Sequence, residues 1–306
     1  MALEGIHHIT AITGDADTVV DFYGRVLGLR LVKQTVNFDD PTAYHLYFGA
    51  EDGATGSVLT FFEYPGAAPG LPGEGMIHSI TWRVASDEAL DFWQARLRDA
   101  EMSVLRGEGR LEFRDPEGLA CELVVDESGE APLTASFAEV PLEFALQGFA
   151  GVRAYAREPQ LSEPLLTALG FTESGDDGRW LLKGERRSAT LRYDDPPLDS
   201  PRPGAGTVHH VAWSAADDAE LGACAEKANA AGSRATPIID RDYFHAVYFR
   251  EPSGVLFEVA SRDIGFTVDE PEDELGRSLK LPQQFEQHRE QIEQKLAPLT
   301  NPRADG

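Results

Sequence analysis

Short apolar, β-branched runs alternate along this chain with stretches of helical spacing, and the same order returns four times. Residues 5–12 (G-I-H-H-I-T-A-I) read as a strand. Val19, Val20, Phe22, Tyr23, Val26 and Leu27 then recur at helical spacing up to Gly28. L-R-L-V-K-Q-T-V, A-Y-H-L-Y-F and G-S-V-L-T-F-F follow as strands, completing a β-α-β-β-β unit. The Pro/Gly-rich run from Pro65 to Gly75 closes it as a linker or lid. A second unit opens at M-I-H-S-I-T-W-R-V, with a helix capped by Ser86. A third opens at L-Q-G-F-A-G-V-R-A-Y and a fourth at Val208, with its helix over about 215–231. R-D-P-E-G-L-A-C-E-L-V of the second unit matches R-E-P-S-G-V-L-F-E-V-A of the fourth. Arg114 and Glu122 therefore correspond to Arg250 and Glu258, around a shared tight turn.

The expected fold class is α+β. Four βαβββ modules form two domains whose curved mixed sheets enclose cavities, and a helical tail follows. One curved sheet cannot bury its concave face alone, so modules one and two (1–135) are expected to pair, as are modules three and four (146–265). Residues 136–145 are read as a linker and 266–306 as the tail, with a helix over Q-Q-F-E-Q-H-R-E-Q-I-E-Q-K-L.

Composition narrows the function. Lys plus Arg is 27 against 52 Asp plus Glu, a net charge of −25. Such a field repels nucleic acid and contains no offsetting basic stripe. The acids are dispersed and only five lysines occur, which fits a high-salt cytoplasm. No apolar run is long enough to span a bilayer, and the first ten residues show no signal-peptide pattern, so a cytoplasmic location is expected. Cys121 and Cys224 lie in core segments and form no disulfide framework.

Candidate chemistry sits at the strand starts. Four of the eight histidines fall in two doublets, G-I-H-H-I-T (Gly5–Thr10) and T-V-H-H-V-A-W (Thr207–Trp213). In a regular strand only one histidine of each pair faces the concave side, unless a bulge intervenes. Glu258 lies inside V-L-F-E-V-A-S, where a carboxylate needs a partner or a metal. One histidine from module one, one from module four and Glu258 would make a 2-His-1-carboxylate set with open coordination positions, suited to non-haem Fe(II). Module two has Ser79 at the place of His210 and His78 at that of His209, and module three has G-F-A-G. A single metal site is therefore expected, and Glu122 is read as structural. His45 stands mid-strand as a candidate for lining the cavity, and His288 is expected in solvent. Tyr, His and Arg in R-D-Y-F-H-A-V-Y-F-R are candidates for a proton relay and an anion clamp.

With G-I-H-H-I-T, Y-H-L-Y-F-G, T-V-H-H-V-A-W, D-R-D-Y-F-H-A-V-Y-F-R-E-P-S-G-V-L-F-E and R-S-L-K-L-P-Q-Q-F-E, nearly the whole chain resembles the vicinal oxygen chelate superfamily. Within it, the chain is similar to hydroquinone ring-cleaving dioxygenases of the 2,6-dichlorohydroquinone and chlorohydroquinone type. The resemblance implies His8, His210 and Glu258 as metal ligands, holding Fe(II), with Mn(II) as the alternative. It places further site positions on His7, Thr10, His209, Arg241 and Tyr248. His7 and Thr10 are expected to bind substrate. Tyr248 is expected to move a proton, Arg241 to orient a hydroxyl or stabilise negative charge, and His209 to act as an acid/base of near-neutral pKa. Nothing transfers to His245. The implied activity is extradiol-type insertion of O2 into a hydroquinone-type ring. The implied partners are a small aromatic substrate and O2, with no nucleic acid or membrane, and a homo-oligomer is compatible with the reading. Two alternatives stay open: a metal-dependent isomerase or lyase of the glyoxalase/epimerase type, and a metal-free small-molecule binding protein.

Overall fold

The computed structural model describes residues 3–303 except 39 and 176. Four βαβββ modules follow one another. The first is β1 (Ile6–Thr13), α1 (Ala16–Val19, widened into a π-helical stretch over Val20–Val26), β2 (Arg30–Val36), β3 (Tyr44–Gly49) and β4 (Val58–Glu63). The second is β5 (Ile77–Val84), α2 (Asp87–Asp99), β6 (Val104–Gly107), β7 (Arg110–Arg114) and β8 (Ala120–Val125). The third is β9 (Phe149–Tyr155), α3 (Glu163–Leu169), β10 (Phe171–Glu173), β11 (Arg179–Lys183) and β12 (Ser188–Asp194). The fourth is β13 (Thr207–Ala215), α4 (Asp218–Ala230), β14 (Ile239–Asp240), β15 (His245–Arg250) and β16 (Leu256–Ser261).

Local chemistry sets the helix ends. The carboxylate of Asp15, the hydroxyl of Ser86 and the carboxylate of Asp217 accept backbone N–H groups at the starts of α1, α2 and α4. Gly170 closes α3 with φ of 100°. The helices cover the apolar faces of the sheets, where Trp82, Trp93, Trp213, Phe171 and Phe257 are fully buried. Trp213 packs edge-on against Phe171 with ring centroids 4.8 Å apart.

The strands form two eight-stranded mixed sheets, ordered β14-β15-β16-β13-β1-β4-β3-β2 and β10-β11-β12-β9-β5-β8-β7-β6. Module one therefore joins module four, and module two joins module three. This corrects the expected pairing of one with two and three with four. Each module opens with the same kind of strand edge, so sequence similarity among the repeats does not specify which edges meet. The crossovers do. Residues 64–76 leave the first sheet for the second, and residues 195–206 return. They run side by side, with the Gly70 N–H donating to Ala205 O at 2.9 Å and the Leu71 N–H to Arg202 O at 2.7 Å. Glycine is required there: a Cβ on Gly204 would stand 2.5 Å from Ala68 O. The run from Pro65 to Gly75 is thus a zipped crossover.

The tail departs from the expected single helix. After Pro282 it forms a 3-10 stretch, Gln283–His288, and one short α-helix, α5 (Arg289–Glu293). It lies along module one, where the Tyr44 hydroxyl donates to Ala297 O at 2.8 Å. Upstream, fully buried Lys33 of β2 donates to Asp269 at 2.5 Å and to Glu270. No helix of the described residues is long and apolar enough to cross a membrane. Cys121 and Cys224 are free and buried.

Candidate metal centre

The two doublets meet because β1 and β13 run antiparallel in the middle of the first sheet. Their register places His8 opposite Ala212 and Thr10 opposite His210, so a pseudo-two-fold relates the strands. Each strand is interrupted at the first histidine of its doublet. Between Ile6 and His8 the register shifts by an extra residue, His7. Between Thr10 and Ala11 it shifts by one on the other strand, His209. These are β-bulges, and they let both members of each doublet stand on the same side of the ladder.

Three donors converge beyond the bulges. The Nε2 of His210 lies 2.8 Å from Glu258 Oε2, the Nε2 of His8 lies 3.4 Å from the same oxygen, and the two Nε2 atoms are 3.4 Å apart. All three residues are buried, Glu258 completely. They are the one group among the described residues whose His, Cys, Asp and Glu atoms come close enough together to hold a metal ion. Neither Glu258 oxygen has a hydrogen bond of proper geometry, an expensive state for a buried carboxylate without a cation. Burial alone would raise the Glu258 pKa, but His8 and His210 hold it well below the ordinary range. Burial pushes His210 down against the pull of Glu258. Two neutral imidazoles and a carboxylate are a fitting donor set for a divalent transition metal.

The bulged histidines touch the candidate ligands. His7 Nδ1 is 2.9 Å from His8 Nδ1, and His209 Nδ1 is 2.7 Å from His210 Nδ1. His7 Nε2 lies 3.0 Å from the carbonyl oxygen of Ser261, which can only accept. His7 therefore carries its proton on Nε2 and accepts at Nδ1. His8 then carries its proton on Nδ1, and its Nε2 lone pair is free to face the triad. Burial first, and His8 next, push the His7 pKa down to about 3, so the ring stays neutral. His209 also falls to about 3, through desolvation and then His210, although part of its ring reaches solvent. The near-neutral pKa expected for His209 is not what this environment produces.

The triad forms one end of a cavity of about 320 Å³, the size of a single-ring ligand site. Thr10, His209, Arg241 and Tyr248 line it, and so does His45. His7 does not. It is buried behind His8 against Phe244, with ring centroids 5.1 Å apart, off the cavity wall on which its substrate contact was expected. The Arg241 Nε–H donates to the Tyr248 hydroxyl at 3.1 Å. Burial, with Glu258 adding, pushes the Tyr248 phenol up, so it remains protonated. His245 points elsewhere and pairs with Asp218 at 2.8 Å. His288 is exposed. Tyr47, Phe62 and Phe244 also line the cavity. Strand alternation from His45 would have found Tyr47. Phe244 sits in a loop, where alternation says nothing.

The second sheet supplies the internal comparison. Its cleft of about 710 Å³ is lined by His78, Ser79 and Glu122. There His78 pairs with Asp194 at 2.9 Å and stacks on Tyr155 at 3.8 Å, and Glu122 accepts from the Thr81 hydroxyl at 3.2 Å. Ser79 offers no imidazole.

The comparisons with known proteins agree with this architecture. The model of the Glyoxalase/Bleomycin resistance protein/Dioxygenase superfamily matches residues 5–123 and 165–259. The chain is 43% identical to the putative ring-cleaving dioxygenase MhqO of Bacillus subtilis, covering 96% of each. It is 35% identical to the chlorohydroquinone/hydroquinone 1,2-dioxygenase of Sphingobium indicum, covering 93% of each. A crystal structure of a putative dioxygenase from Bacillus subtilis superposes with a TM-score of 0.90 at 41% identity, over 98% of each chain. The matched segments span the strands that carry both doublets and Glu258, and on that evidence this chain belongs to the Glyoxalase/Bleomycin resistance protein/Dioxygenase superfamily.

Proposed function

We propose that the protein is a ring-cleaving dioxygenase that inserts O2 into a hydroquinone-type ring, with Fe(II) held by His8, His210 and Glu258. The observation that carries this reading is the convergence of three protein donors, and no more among the described residues, in the wall of a ring-sized cavity. A three-donor set leaves coordination positions for a ring oxygen and O2 together. The similarity to a putative ring-cleaving dioxygenase and to a chlorohydroquinone/hydroquinone 1,2-dioxygenase supports the same reaction class. Fe(II) in such a site supplies a Lewis acid for the ring hydroxyl and a route for electrons between ring and O2.

The chain's own groups then have distinct tasks. The His7 and His209 Nδ1 atoms fix the tautomers of His8 and His210. The Thr10 hydroxyl and the Tyr248 phenol present hydrogen-bonding groups to a ring oxygen. Arg241, bound to Tyr248, favours negative charge developing on that oxygen. His209, whose Nδ1 accepts from His210, carries its own proton on Nε2 and offers it as a hydrogen bond to a substrate oxygen at the cavity mouth. Phe62 and Phe244 exclude water around the ring.

Oxygen-electrode assay of Fe(II)-loaded protein against hydroquinone, chlorohydroquinone and catechol tests this reading. Uptake is expected with the first two. Uptake with catechol alone would overturn the hydroquinone assignment, and anaerobic turnover without oxygen would point to an isomerase. Glu258→Gln should lose both bound iron and uptake; full iron occupancy with full activity would refute the ligand set.

A further inference from the structure

One row of the first sheet carries chemistry that the triad does not use. Across four neighbouring strands, Tyr47 of β3 is in register with Thr60 of β4, Thr60 with Thr10 of β1, and Thr10 with His210 of β13. The pseudo-two-fold maps this row onto module four. His8 corresponds to His210 and Thr10 to Ala212. Ala212 is in register with Glu258, and Glu258 with Tyr248. Thr60 therefore stands where module four has its carboxylate, and Tyr47 where it has Tyr248. His45, two residues before Tyr47, corresponds to Ala246 and has no chemical counterpart.

These groups are hydrogen-bonded in sequence. Tyr47 Oη is 2.9 Å from His45 Nδ1, His45 Nε2 is 2.9 Å from Thr60 Oγ1, and the Thr60 hydroxyl donates to Thr10 Oγ1 at 3.0 Å. Tyr47, Thr60 and Thr10 are at most 1% exposed and His45 is 7% exposed. Thr60 has one hydrogen and gives it to Thr10, so it must accept from His45. His45 then carries its proton on Nε2 and accepts at Nδ1 from the Tyr47 hydroxyl. Burial holds His45 neutral and Tyr47 protonated, which keeps that order. Every donor in the chain points the same way. Among the described residues nothing accepts from Thr10, which lines the cavity.

We infer that the Tyr47–His45–Thr60 chain orients the Thr10 hydroxyl, turning its hydrogen into the cavity as a fixed donor for a substrate ring oxygen. His45 and Thr60 are positioning residues that act through Thr10. This rests on the hydroquinone reading for the identity of the ligand, but not for the hydrogen-bond order. In register, Thr60 also puts a neutral hydroxyl where module four has the Glu258 carboxylate.

The test uses the full-length protein loaded with zinc, which binds without oxygen chemistry. Hydroquinone affinity is measured by calorimetry under nitrogen for wild type, Thr60→Val, Thr60→Ser, His45→Phe and Thr10→Val. Thr60→Val and His45→Phe should each weaken binding roughly fivefold to tenfold, the loss of one oriented neutral hydrogen bond. Zinc stoichiometry should not change, and Thr60→Ser should restore affinity. In a Thr10→Val background, Thr60→Val should add nothing. Wild-type affinity in both variants, or a full additional loss in the Thr10→Val background, overturns the proposal. Nitrogen-15 NMR of labelled histidines provides a second arm that needs no ligand. It should show His45 as the neutral Nε2–H tautomer, with that proton lost to fast exchange in Thr60→Val. The opposite tautomer overturns the proposal, even if wild type binds no hydroquinone and the functional reading itself fails.

Discussion

His7 and His8 face each other Nδ1 to Nδ1 at 2.9 Å, and only one of these nitrogens carries a proton. The Ser261 carbonyl decides which, because it takes the Nε2–H of His7 at 3.0 Å. His7 thereby becomes the acceptor that fixes the His8 ring. A phenyl ring at this position would fill the same buried space without accepting. His7→Phe should weaken metal binding roughly tenfold to a hundredfold, the usual effect of removing a ligand's outer partner. Competition with a chromophoric chelator checks it, and unchanged affinity would remove His7 from the site. His209→Phe should do less, because water can reach the partly exposed His209 position and replace the lost acceptor.

Thr60 and Glu258 occupy equivalent places on either side of the β1–β13 pair. Thr60→Glu should therefore supply a fourth donor. Metal should be retained at least as tightly as in wild type, while oxygen uptake falls by roughly a hundredfold or more as an open position closes. Metal analysis beside the uptake assay separates this from simple unfolding, in which both would be lost.

Lys33 is fully buried, with Asp269, Glu270 and the Phe266 carbonyl around its amine and the Tyr243 ring 4.9 Å beneath it. It ties the segment after module four to β2. Lys33→Met leaves the buried Glu270 carboxylate without its cation and should destabilise the protein by about 3–5 kcal/mol. Urea unfolding measures this. Limited proteolysis should cut the segment after Ser261 earlier than in wild type if the tie holds that segment down.

Asp115 accepts from Leu119 and Glu117 backbone N–H groups at 2.8 and 3.0 Å and from the Tyr23 hydroxyl at 2.9 Å. Burial nonetheless pushes its pKa from 3.8 up to about 6. The folded state thus binds this proton more tightly than the unfolded chain. The associated stability is fully present below about pH 4 and is lost as pH rises through about 6, at roughly 1.4 kcal/mol per pKa unit. Asp115→Asn, always neutral, should gain on wild type by about 2–3 kcal/mol between about pH 4 and pH 7. Urea titrations across that range decide it; a constant difference would mean that the carboxyl titrates normally.

Much of the candidate site was legible in the order of residues. The in-strand acid Glu258 and the doublets are local signals, because strand alternation and the penalty for a lone buried carboxylate operate over a few residues. The repeat also indicated that modules two and three lack ligands, and Ser79 beside the paired His78 agrees with that. The bulges at His7 and His209 were legible only as a condition. A bulge depends on how two distant strands accommodate each other, and β1 and β13 are separated by most of the chain.

The sequence by itself determined the four βαβββ units, the residues able to hold a metal and the pairing of first and fourth modules in the metal site. Periodicity, turn chemistry and the cost of buried charge point to the units, to Glu258 and to the two doublets, and the family resemblance selected His8 and His210 within them. Only the tertiary structure decided that modules one and four share a continuous sheet, that His7 stands behind His8 and outside the cavity, and that Thr60 faces the centre where its counterpart is Glu258. Each of these depends on register between strands far apart in the chain. A shift of one residue there exchanges the cavity face for the core.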